Sequence, residues 1–264
     1  IIVEDAQRSL TFDNINVKPV KAAAVAAQQA KVDRFLFMST AGAGVPEAEK
    51  YGYPASKRSV EAFLKTQPHL NWTALRPDVV YTPSDWGHEM SFDETAALPV
   101  IPVPGGGHAV LQPVLLSDLC RCVSLLESSD TSGQILEVVG PQRMTIKEIL
   151  EFMKQQRGER FIPIPVPIFL VKPFVTEYPM GAMNRDFISM LEDQQRRGVN
   201  PEQDPAPFLN AVGLDKATSM EEAYVAAGNL TKKPSPIGKL MYSVATHPSK
   251  TLRVAVLTLK STAL

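Results

Sequence analysis

The sequence predicts an α/β protein on a doubly wound parallel sheet, with a small mixed lobe toward its C-terminus. Three observations predict it. Helix-like and strand-like segments alternate through the first half of the chain, the order of a parallel sheet with crossover helices. The segment 34–39 is a short, aromatic-rich apolar run without polar alternation, as expected of a strand covered on both faces. After residue 158 the alternation gives way to proline-broken segments, which sets off the lobe. The composition agrees with this class: 264 residues, net charge −1, 44% hydrophobic and 21% charged. Such values exclude a disordered or fibrous chain and leave no basic footprint for nucleic acid. No run of about 18 uncharged apolar residues is present, so a spanning helix is not expected.

The elements follow in order. Phe12 to Ala30 carries Asn16, Val17, Val20, Ala24 and Ala27 at helical spacing, and its alanines allow close approach to a neighbour. Arg34 to Ser39 is the buried strand, ended by Ser39, Thr40, Gly42 and Gly44. Residues 55 to 66 form a helix with Val60, Phe63 and Leu64 on one side, and Asn71 to Leu75 a strand stopped by Arg76-Pro77. Leu98 to Gly107 is irregular or edge structure because of its prolines and glycines. Ser117 is expected to cap a helix over Asp118 to Leu126, with Asp118 as a favourable charge at its start. Gln134 to Val139 is a strand closed by Gly140-Pro141. Thr145 and Glu148 form a capping box for Ile146 to Gln156. Phe161 to Pro167 is extended, since each proline denies helix to its predecessor. Asn184 to Arg197 is helical, 198 to 207 a polar loop, and Ser219 with Glu222 caps a short helix ending near Gly228. The tail after 229 is basic and turn-rich, with a last strand or short helix at Leu252 to Leu259. The domain boundaries expected are therefore 1–158, 159–228 and 229–264.

Chemistry concentrates at Tyr53-Pro-Ala-Ser-Lys57. On a helix the four-residue spacing puts both side chains on one face. An ammonium beside a phenol favours the phenolate, and the same lysine can bond a ribose hydroxyl. That is the pair needed for hydride chemistry at a carbonyl or alcohol. Elsewhere the sequence is plain. Cys120 and Cys122 at i, i+2 point apart on a helix, and His69, His88, His108 and His247 have no metal-ligand spacing, so no metal site is expected. Trp72 and Trp86 are read as core or interface anchors. Phe161 to Val175 is apolar enough to touch a membrane surface or another subunit, or to serve as a packed connection.

A buried strand ending in Ser39-Thr40, then Tyr53-x-x-x-Lys57, then a strand ending in Arg76-Pro77 resembles the short-chain dehydrogenase/reductase superfamily in its extended and atypical branches. The resemblance runs from about Thr11 to Glu151. Phe12 to Val17, Val32 to Ser39, Gln112 to Asp118 and Gly140-Pro141 look most like the dehydrogenase-like accessory subunits of mitochondrial complex I. Ile162 to Pro167 and Phe208 to Gly213 resemble the C-terminal lobe of that family. The resemblance implies a Rossmann-like fold, an NADPH held structurally, other complex I subunits as partners, a place on the matrix side of the mitochondrial inner membrane and at most peripheral membrane contact. By the same resemblance Ser39, Thr40, Tyr53, Lys57, Arg76, Pro77 and Val79 face the nucleotide, with Tyr53 and Lys57 as vestigial catalytic candidates.

Two departures from the family pattern stand out. No glycine-rich turn opens the sequence, and Gly105-Gly-Gly107 lies late and after prolines, a poor substitute. Ile1 falls near the fourth strand of the family fold, so the preceding strands and their glycine loop are expected from unrecorded N-terminal residues or a separate chain, which would cover the sheet edge. The position of the family's catalytic serine holds Ala41 in Ser39-Thr40-Ala41, which removes a donor to a substrate carbonyl unless Ser39 or Thr40 substitutes by a one-residue shift. The leading expectation is thus a nonenzymatic accessory subunit. The alternatives are an NAD(P)-dependent reductase or sugar-nucleotide epimerase, and a nucleotide-free scaffold.

Overall fold

The computed structural model describes residues 9–83, 96, 100–171, 185–197 and 204–227. A π-helical turn, Asp13–Val17, leads into α1, Lys18–Gln29, with Pro19 in its first turn where no N–H partner is lost. Strand β1 is Phe35–Met38, α2 is Gly52–Leu64 and β2 is Trp72–Pro77. Short strands follow: β3 Val80–Tyr81, β4 Ile101–Pro104, β5 Val110–Leu111 and β6 Val114–Leu115. Then come α3 Leu116–Leu125, β7 Gln134–Val138, β8 Met144–Thr145 and α4 Ile146–Gln156. The lobe carries β9 Pro163–Val166, α5 Arg185–Arg197, α6 Ala206–Val212 and α7 Met220–Ala226.

The central sheet has the order β1-β2-β7, parallel throughout, with Phe37 opposite Ala74 and Leu75 opposite Leu136. Strand periodicity sorts its side chains to two faces. Phe35, Phe37, Trp72, Ala74 and Ile135 pack with Val17, Ala24, Val60 and Leu64 of the α1 and α2 side. Leu36, Leu75, Leu136 and Val138 pack with Leu119 and Cys122 of α3 and with Phe208, Leu209 and Val212 of α6. Helices on both faces make the sheet doubly wound, and the fold is the expected Rossmann-like α/β class. A third core joins α4 to the lobe through Ile149, Leu150, Ile188, Leu191, Met220 and Tyr224. Each such side chain, fully buried, contributes roughly 1.5–3 kcal/mol.

Several expectations hold residue for residue. Thr145 and Glu148 form the complete capping box of α4, and Ser219 and Glu222 that of α7. The segment 161–167 is extended, and its β9 portion pairs in parallel with β4, a proline-rich strand. Cys120 is exposed and Cys122 buried, and Trp72 is core. Apart from these expectations, and of the described residues alone, no group of three or more His, Cys, Asp or Glu side chains is placed to hold a metal, and no helix is long and apolar enough to cross a membrane.

Others are corrected. Arg76-Pro77 does not stop β2: both residues are in the strand, paired with Glu137 and Val138, because parallel pairing to β7 uses Pro77 where it needs no N–H donor. The helix around Tyr53 begins at Gly52 rather than 55. Ser117 is no N-cap. Strand β6 pairs with β3 up to Leu115, and the chain turns directly into α3 at Leu116, leaving Leu115 as the capping residue without a side-chain bond. Asp118 does lie in the first turn of α3, but its carboxylate also accepts Thr218 N at 2.7 Å and Thr218 Oγ1 at 3.0 Å, tying the helix to the lobe. Ala206 and Pro207 belong to α6, not to a loop. His88, Trp86, His247 and the tail from 229, with its element at 252–259, lie outside the described residues, as do 172–175 of the apolar stretch.

Candidate functional site

The carboxyl ends of β1, β2 and β7 are where an open parallel sheet receives a ligand. Chain leaving β1 folds over them as two 3₁₀ turns, Ala41–Gly44 and Ala48–Lys50, and then enters α2. Tyr53 and Lys57 both lie in α2, one turn apart on the same side. Lys57 Nζ stands 5.6 Å from the Tyr53 ring centroid and 5.1 Å from that of Phe37, and donates to Met38 O at 2.8 Å. The Phe12 ring lies 6.4 Å from that of Tyr53. The lysine is therefore held between two aromatic rings and the last carbonyl of β1.

Beneath the pair lies a buried ionic cluster. Arg76 Nε and Nη2 donate to the two oxygens of Glu61 at 2.9 and 2.6 Å, and Nη1 to Glu137 Oε1 at 2.7 Å. Ser39 Oγ donates to Glu61 Oε1 at 2.5 Å. The two carboxylates hold the guanidinium protonated, while burial pushes the Glu137 carboxyl up against the opposing pull of Arg76. Gly44 makes room for this: a Cβ there would stand 2.9 Å from Arg76 Nη1. Next to the cluster, Asp78 is half-buried. Its carboxylate accepts Val79 N at 2.9 Å and Gln112 N at 2.7 Å, which only partly offsets the upward shift that burial imposes.

The candidate residues thus divide. Tyr53 and Lys57 are together. Ser39 and Arg76 meet each other through Glu61. Pro77 is buried in β2, and Thr40 and Val79 are half-buried beside the strand ends. Glu61, Glu137 and Asp78 were not anticipated. The available signal was Glu61 itself, a carboxylate next to Val60 and one turn before Leu64 on the buried side of α2, which calls for a cation.

The residues present fit the nicotinamide–ribose half of a dinucleotide: a phenol and an ammonium one helical turn apart at the carboxyl end of a parallel sheet. For the pyrophosphate half, no glycine-rich turn after a first strand occurs among the described residues. Gly105–Gly107 does not stand in for it. A Cβ on Gly107 would fall 2.5 Å from Val103 Cγ1 and 3.0 Å from Lys147 N, so the turn serves the packing of β4 against α4.

Fold and site together define the class: an α/β chain of Rossmann-like nucleotide fold with a tyrosine–lysine pair at the strand ends. No family model matches the chain. Among curated proteins it is similar to NADH dehydrogenase (ubiquinone) 1 alpha subcomplex subunit 9, mitochondrial, at 25% identity over 168 residues for the Mus musculus protein and 24% over 173 for that of Rattus norvegicus. The match covers 62% of this chain and 43% of each of those proteins, so the chain spans less than half the length of these relatives. Among solved structures it is similar to a UDP-glucuronic acid 4-epimerase from Bacillus cereus (TM-score 0.60, 13% identity, 84% of this chain and 68% of that one). A dTDP-glucose 4,6-dehydratase from Streptomyces venezuelae gives 0.59 at 16% identity, over 87% and 69%. These likenesses establish the fold, and the resemblance read from the sequence is found again in the curated relatives.

Proposed function

We propose that the chain is part of an accessory subunit of mitochondrial respiratory complex I and holds NADPH as a brace rather than turning it over. The observation that carries the reading is the fate of Ser39. Its hydroxyl, one of two with Thr40 that could stand in for the serine of related enzymes, is buried and committed to Glu61. Tyr53 and Lys57 keep the geometry to hold a ribose, while Ala41 offers no hydroxyl and Ser39 is committed, which leaves only the half-buried Thr40 hydroxyl as a donor for a substrate carbonyl. A nicotinamide bound there would supply hydride chemistry. Tyr53 and Lys57 would orient the ribose, with Pro77 and Val79 along its path. A ligand bound only by the folded state stabilises it by mass action, which suffices for a structural role. The similarity to a complex I subunit supports partnership with other complex I subunits at the matrix side of the inner membrane. Ile164, Phe169 and Leu170, each at least half exposed, support a protein or peripheral membrane contact there. A separate chain, or residues preceding Ile1, would supply the glycine loop. The proposed domain division is 1–158 for the nucleotide fold, 159–228 for the lobe and 229–264 for the tail.

Native mass measurement of the purified protein tests the nucleotide: a mass increment matching NADPH is expected. The alternative, a reductase or sugar-nucleotide epimerase, rests on the epimerase-like fold. Turnover of a UDP-sugar or small carbonyl compound that is lost in Tyr53→Phe would establish it and overturn the structural reading.

A further inference from the structure

Helix α2 starts without a capping side chain. The first turn of such a helix, here the one bearing Tyr53, has backbone donors with no partner in the helix and opens easily unless held from outside. Holding contacts come from the π-helical turn and the Phe12 before it, through Phe12 to Tyr53 and Asn16 Nδ2 to Ser56 Oγ at 3.2 Å, and also from α5, about 140 residues away in sequence. Tyr51, buried just before α2, donates its phenol to Asp193 Oδ2, and Lys50 Nζ lies 3.9 Å from the same oxygen. The Tyr51 carbonyl accepts Ala55 N at 2.9 Å, the first hydrogen bond of α2. One turn earlier on α5, the Met190 methyl comes close to Gly42: a Cβ there would stand 3.1 Å from it and 3.3 Å from Pro54 Cγ. Gln194 Nε2 donates to Val110 O at 3.1 Å. Met190, Asp193 and Gln194 are spaced i, i+3, i+4 and share one face of α5, while Ile188 and Leu191 anchor the helix in the core.

We propose that Asp193 is a positioning residue for the Tyr53–Lys57 site, acting through Tyr51. The lobe thereby sets the place of the tyrosine, and a nucleotide held at Tyr53 and the docking of α5 reinforce each other. The claim deepens the nucleotide reading above and rests on it for the ligand, not for the mechanical link.

The test uses the full chain with Tyr51→Phe, Asp193→Ala, Asp193→Asn and the double variant Tyr51→Phe/Asp193→Ala. Two readouts are followed: amide hydrogen exchange and NADPH affinity by fluorescence. A hydrogen bond to a charged acceptor contributes about 1.5 kcal/mol, about tenfold in an equilibrium. Exchange at residues 53–57 is therefore expected to rise about tenfold in Tyr51→Phe and Asp193→Ala while β1, β2 and β7 keep their protection. NADPH binding is expected to weaken by a similar factor. Asp193→Asn, which keeps an acceptor, should restore most of both, and the double variant should be no worse than either single one. Unchanged exchange at 53–57, an equal rise across all elements, or additive losses in the double variant would overturn the proposal. Should the unaltered chain bind no NADPH, the nucleotide reading falls by itself, and the exchange data still decide whether Asp193 positions Tyr53.

Discussion

Arg76 answers two carboxylates at once, and this makes it the residue on which the site's stability turns. Its side chain is 16% exposed and that of Glu61 3%. Truncating the cation leaves two acids facing each other in a low-dielectric place, the costly way to break a buried pair. Arg76→Met is expected to lower stability by about 3–5 kcal/mol at neutral pH, read from urea denaturation, with part regained when Glu61→Gln removes one of the orphaned charges. An Arg76→Met variant as stable as the unaltered chain would show that the cluster is dispensable. The Tyr53–Lys57 spacing was legible in the sequence because a helix fixes which residues share a face. The partner of Arg76 was not: Glu61 and Glu137 reach it from a helix and a neighbouring strand, and nothing local announces a contact across 15 and 61 residues.

Elements show the same division between local and distant causes. Both capping boxes were readable because donor and acceptor lie three residues apart. The pairing of β4 with β9 joins segments some sixty residues apart, so the prolines announced an extended chain but not its partner. The start of α3 was misplaced for a related reason, since β6 is committed to β3 before the helix begins. Between β7 and β8, Gly140 lets two loops cross closely: its N–H donates to Gln112 O at 3.3 Å, its carbonyl accepts Gln112 Nε2 at 2.9 Å, and a Cβ would fall 1.9 Å from Pro113 O. The obstacle is backbone, which cannot step aside. Gly140→Ala is expected to cost more than 3 kcal/mol or prevent folding. Gly158→Ala, at a left-handed but open position, should cost only about 1–2 kcal/mol. Equal thermal midpoints for the two variants would contradict the close crossing.

For the molecule as a whole, half-buried acids shape the response to pH. Burial raises the Asp78 carboxyl above its ordinary value, and that of Glu137 likewise. Between the ordinary and the raised value the folded chain keeps a proton that the unfolded chain has released, so stability falls as pH rises through that window. Each group contributes at most about 1.4 kcal/mol per pH unit. Glu148 and Glu222 are lowered and act oppositely, at lower pH; the Glu222 carboxyl is held down to about 2 by Lys216 and by the Ser219 cap. The denaturation midpoint is therefore expected to fall as pH rises from the ordinary carboxyl range upward, with a flatter profile in Asp78→Asn. A midpoint that climbs over this range would show that the two acids are ionised without penalty.

Lys57 has one more consequence, at the outer flank of the sheet. Phe35 N and Ser39 N bond to Asn71 O and Leu75 O of the β2 side, so by alternation Leu36 and Met38 turn their peptide groups the other way. Among the described residues no strand pairs with β1 on that flank. The Met38 carbonyl there already accepts the Lys57 ammonium. A neighbouring strand zipping onto β1 would use the outward peptide groups of Leu36, and one step later it would meet the Lys57 ammonium at the Met38 carbonyl. The residue that would grip a ribose thus also acts as a doorstop, limiting how far any added strand can extend along this border.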